Sequence, residues 1–142
     1  AQLIFNYSRI EKEAALALYE DMGKDEHIFI DIEADSLRKL VSMLEIADFF
    51  FGNEGGPRHI AQACHLPSLA IYPPWVELPK WLPSNDLCYQ GVTPFDMFPD
   101  QVIEGRTEKE MFDLLTVEYV WERLQPMMDK VFIDCAFVSN KK

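Results

Sequence analysis

A carboxylate, a guanidinium and an imidazole fall within six residues of one another at Glu54, Arg58 and His59, around the glycine pair Gly55-Gly56 and Pro57. A carboxylate accepts hydrogen bonds from hydroxyls, whereas guanidinium and imidazole N–H groups donate to anions. The residues between them favour a helix start. Gly55 and Gly56 let the backbone adopt positive φ or approach a ligand closely, and Pro57 brings a preset φ and no N–H to a first helical position. A helix beginning at Gly56 or Pro57 points unclaimed N–H groups and the positive end of its dipole outward, an arrangement suited to a phosphate. A single glycine pair also serves any strand-to-helix connection. Glu54 and His59 are not needed for such a turn, however. The spacing of Ile60, Ala61 and Cys64 gives them the buried face of the helix and leaves Arg58 and His59 to face the mouth of the turn.

The elements that must hold this turn can be read outward from it. Phe49-Phe50-Phe51 is a short apolar run ended by Gly52, the pattern of a strand covered on both faces of a parallel sheet, and it is expected at the centre of that sheet. Leu3-Ile4-Phe5 and His27-Ile28-Phe29-Ile30 read as earlier strands. Between them lies a helix from Arg9 to Met22 with Ile10, Ala14, Leu18 and Met22 on one stripe, stopped by Gly23. Asp35 or Ser36 caps the next helix, whose Leu37, Leu40, Val41 and Leu44 follow helical spacing, and Asp35 is the expected cap. Leu69-Ala70-Ile71-Tyr72 is a further strand, left by way of Pro73-Pro74-Trp75. Trp75 and Trp81 either stack on a base or sugar or pack as a surface corner. Leu87-Cys88-Tyr89 is a last short strand. Thr107 and Glu110 form a capping box, and Thr116 opens a long helix with Val117, Val120, Trp121 and Leu124 inward, which Pro126 should kink or end. The apolar tail Val131-Phe132-Ile133 and Phe137-Val138 reads as a docked strand or a partner surface. The fold class is α/β, a Rossmann-like parallel sheet of about five strands with helices on both faces.

From Gly52 to Ala63, followed by Leu66-Pro67, the strand Ser68 to Tyr72 and Pro74, the chain resembles the donor-binding segment of glycosyltransferase family 9, the lipopolysaccharide heptosyltransferases. The family pattern is Gly-Asn-Asp-Ser/Thr-Gly-Pro-x-His-Leu-Ala-Ala-Ala. Here Glu54 stands for the Asp and Gly55 for the hydroxyl residue. The resemblance implies the C-terminal half of a two-domain GT-B fold, and residues 1–142 as a single nucleotide-sugar-binding domain. It also implies that the chain lacks the first strand of that domain and an N-terminal acceptor domain, which would supply the general base and meet a lipid-linked saccharide. It assigns Glu54, Gly55, Gly56, Arg58 and His59 to the donor diphosphate, and sets Glu11 near the ribose and Asp35 near the nucleoside. An ADP-sugar is the favoured donor, heptose or a related sugar the transferred group, lipopolysaccharide core the acceptor, and the cytoplasmic side of a Gram-negative inner membrane the expected location. No metal or other cofactor is implied. Two other readings stay open: an epimerase-like nucleotide-sugar domain, and a non-catalytic α/β assembly domain.

Composition fits a folded module. With 142 residues, 49% of them hydrophobic, the chain can bury one good core. A net charge of −11 argues against nucleic acid and anionic membrane surfaces, both of which call for a basic patch. Cys64, Cys88 and Cys135 are odd in number and lack Cys-x-x-Cys spacing, so neither a disulfide framework nor a zinc site is indicated and a reducing compartment is expected. The sequence holds neither an apolar run of about 20 residues nor a signal peptide with a basic start.

Overall fold

The computed structural model describes residues 1–82, 88–98 and 105–138, with side chains up to residue 131. In chain order the elements are β1 (Leu3–Ile4), α1 (Lys12–Asp21) after a 3-10 turn at Arg9–Glu11, β2 (Ile28–Phe29), α2 (Leu37–Glu45), β3 (Phe50–Asn53) and α3 (Gly56–Ala63). They continue with β4 (Ser68–Ile71), α4 (Leu78–Trp81), β5 (Tyr89–Val92), α5 (Pro94–Met97), α6 (Glu108–Phe112) and α7 (Val117–Val138). The protein is α/β with parallel strands in open sheets. It forms two compact units, Ala1–Met43 and Leu44–Lys142.

In the first unit β1 and β2 pair in parallel, Leu3 beside Ile28 and Ile4 beside Phe29. Helix α1 buries Ala15, while Ile10, Leu18 and Met22 are exposed, so the expected stripe of Ile10, Ala14, Leu18 and Met22 is corrected. The run Ala14 to Leu18 is apolar around the whole helix and singles out no one face. The cap of α2 is Ser36, whose Oγ accepts from the Lys39 amide at 3.3 Å. Asp35 instead meets Lys39 Nζ at 2.8 Å on the surface.

In the second unit the strand order is β3-β4-β5, all parallel. The middle strand is therefore β4, and the expectation that Phe49 to Phe51 would be central is corrected: β3 lies at an edge of its sheet, with Phe51 47% exposed. Strand alternation assigns the two faces. Leu69 and Ile71 join Val92 in a core closed by Leu124 and Met127 of α7, with Phe49, Tyr119, Val120 and Met128 at its margin. On the opposite face Tyr72 follows Ala70, and the Arg58 guanidinium of α3 lies 5.7 Å from the Tyr72 ring. Helices thus cover both faces of this sheet. Burying Leu69 completely contributes about 2 kcal/mol.

Three local expectations shift. Strand β5 runs from Tyr89 to Val92 rather than from Leu87, which lies outside the described residues. Helix α7 neither stops at Pro126 nor gives way to a strand, since residues 131–138 continue it. Val117 and Trp121 are exposed on that helix, whereas Leu124 and Met127 carry its buried face.

Candidate functional site

The β3–α3 connection is two residues long. The Glu54 amide donates to the Ile71 carbonyl at 2.8 Å, extending the pairing of β3 with β4 by one step. Gly55 then takes φ 156° and ψ −169°, a region essentially reserved for glycine, and α3 starts at Gly56 with Pro57 in its first turn. No side chain caps this helix. The first amides of α3, borne by Gly56 and Arg58, precede any intrahelical partner, Pro57 having none to offer. The expected helix start is therefore present, and Gly56 is exposed at it.

The three chemically active side chains meet, although not as the sequence implies. Arg58 does not face the mouth of the turn: it is 1% exposed and shares the inner face of α3 with Ala61. Its Nη1 donates to Gln62 Oε1 at 2.6 Å and its Nη2 stands 3.3 Å from Glu54 Oε1. The same Nη2 is 2.9 Å from His59 Nδ1. His59 Nε2 lies 3.2 Å from Glu54 Oε1, so carboxylate, guanidinium and imidazole close a triangle. Arg58 Nη2 is also 3.1 Å from His59 Nε2, so the guanidinium nitrogen lies against both nitrogens of the ring. The buried guanidinium thus fixes both of its neighbours. Their side chains reach solvent, His59 by 52% and Glu54 by 20%.

Beneath this triangle the buried polar atoms Arg58 Nε and Tyr72 Oη have no hydrogen-bond partner among the described residues. Burial pushes the Tyr72 hydroxyl above its ordinary range, with the Arg58 charge opposing. Above the triangle stands Trp81, whose ring centroid is 6.1 Å from that of His59 at an interplanar angle of 48°. The sequence named this tryptophan without linking it to His59.

Glu11 and Asp35 lie in the other unit. Both the amide and the hydroxyl of Ser8 donate to the Glu11 carboxylate, a capping box that holds it below the usual carboxylate range. The spacing Ser8-x-x-Glu11 is the sequence signal for that box. Among the described residues no group of three or more His, Cys, Asp or Glu side chains could hold a metal ion. Nor is any described helix long and apolar enough to cross a membrane. Comparison with protein-family models, with curated proteins and with solved structures returned no match.

Proposed function

We propose that the β3–α3 turn binds a nucleoside diphosphate and that the chain is the donor-binding part of a glycosyltransferase resembling family 9. The observation that carries this reading is the opening of α3, where a glycine-only conformation and the lack of a capping side chain leave the amide of exposed Gly56 available beside His59. The amide of the exposed Gly56 would meet the diphosphate, His59 would donate to one of its oxygens, and Glu54 would accept from donor hydroxyls. Arg58 serves by holding Glu54 and His59 in place. Stabilising the departing diphosphate is electrostatic catalysis by groups already in position. The favoured donor, an ADP-sugar of heptose or a related sugar, and lipopolysaccharide core as acceptor rest on the family resemblance, as does a place at the cytoplasmic face of the inner membrane.

Glycine at position 55, where the family pattern has a hydroxyl residue, follows from the φ of 156° and does not require loss of function. A second reading is a non-catalytic assembly domain, which would keep the fold without affinity for a diphosphate. Thermal unfolding with ADP, UDP, GDP or inorganic phosphate separates the two. ADP at one hundred times its dissociation constant should add about 2.7 kcal/mol. His59→Ala should weaken ADP about tenfold while changing stability by no more than about 0.5 kcal/mol, because the imidazole is half-exposed. A folded protein whose transition no diphosphate shifts is an assembly domain instead.

A further inference from the structure

We propose that Trp81 and Glu54 bound a pyranose subsite beside the diphosphate turn, the indole forming the face on which the donor sugar ring stacks. The inference deepens the reading above and rests on it. Trp81 ends α4, and the helix is seated by Leu78, whose Cδ2 would lie 3.0 Å from a Cβ placed on Gly91. Gly91 thus lets α4 settle onto β5 and Tyr72, which sets the position of Trp81. The indole is nevertheless 48% exposed, as is about half of His59, and the two rings meet as an open wedge rather than a closed stack. Through the imidazole the wedge leads to the Glu54 carboxylate, 3.2 Å from His59 Nε2. An apolar aromatic face next to a carboxylate acceptor matches the two-sided chemistry of a pyranose, whose C–H face is apolar and whose rim carries hydroxyl donors. A diphosphate on the Gly56 amide would have its sugar-bearing end beside these groups, since His59 belongs both to the first turn of α3 and to the wedge.

The test is calorimetric titration of the whole chain with ADP and with ADP-glucose, for the unaltered protein, Trp81→Ala and Trp81→Phe. Trp81→Ala should weaken ADP-glucose about tenfold and ADP less than about twofold, and Trp81→Phe should restore most of the loss. In a Trp75→Phe, Trp121→Phe background, where Trp81 alone emits, ADP-glucose should quench the fluorescence more than ADP does. Equal weakening of ADP and ADP-glucose would assign the indole to the base and overturn the sugar subsite. Unchanged affinity for both would make Trp81 a surface corner, also overturning it, with diphosphate binding intact. If the unaltered protein binds neither ligand, the diphosphate reading falls and the subsite falls with it.

Discussion

Single residues at the turn divide into those that set the backbone and those that set the charge. Gly55 belongs to the first group. Installing a hydroxyl with Gly55→Ser forces a side chain into the φ 156° region and should destabilise the fold by about 1–3 kcal/mol, although a Cβ there meets no atom within 4 Å. A urea midpoint unchanged from that of the parent chain would show that the turn relaxes to accept serine. Arg58 belongs to the second group, and its role was the least legible part of the site. Arginine is rarely fully buried, so helical spacing alone sends it outward. What draws it inward is the combination of Gln62 one turn later, Glu54 before the helix and the ring of Tyr72 just after β4, and the last of these is a tertiary contact. The positions of Glu54, Gly56 and His59 at a helix start were readable because glycine and proline constrain backbone directly.

Helices show the same contrast. The start of α3 followed from Gly56 and Pro57, but the end of α7 did not follow from Pro126, because tertiary packing of Leu124 and Met127 on either side of it holds the helix together. Proline inside a helix lacks the N–H for one backbone bond and crowds the preceding turn. Pro126 is exposed, and the helix extends well beyond it, so Pro126→Ala should stabilise the protein by about 1–3 kcal/mol, read as a higher thermal midpoint. A lowered midpoint would mean that the break in the hydrogen-bond ladder is needed for α7 to lie on Leu69 and Val92. In α1 the burial of Ala15 was unreadable for a different reason, since an alanine and leucine run gives helix propensity without direction.

Over the whole molecule, α/β character and parallel pairing were legible in the short apolar runs, while strand order was not, because every one of those runs is equally apolar. The middle position of β4 is visible only in its pairing on both sides. The two units should differ in local stability. A two-stranded sheet is marginal by itself, whereas Leu69 and Ala70 are fully shielded. Hydrogen exchange followed by mass spectrometry should therefore find the β1 and β2 amides exchanging well before those of β4, and equal protection would mean that the units open together. The middle strand also bears on how the chain reaches this state. Each partner of β4 is its immediate neighbour along the chain, so both pairings close over one short crossover and at small loop entropy. A growing polypeptide that has released β4 can dock β3 at once, and β5 then adds to an edge already in place.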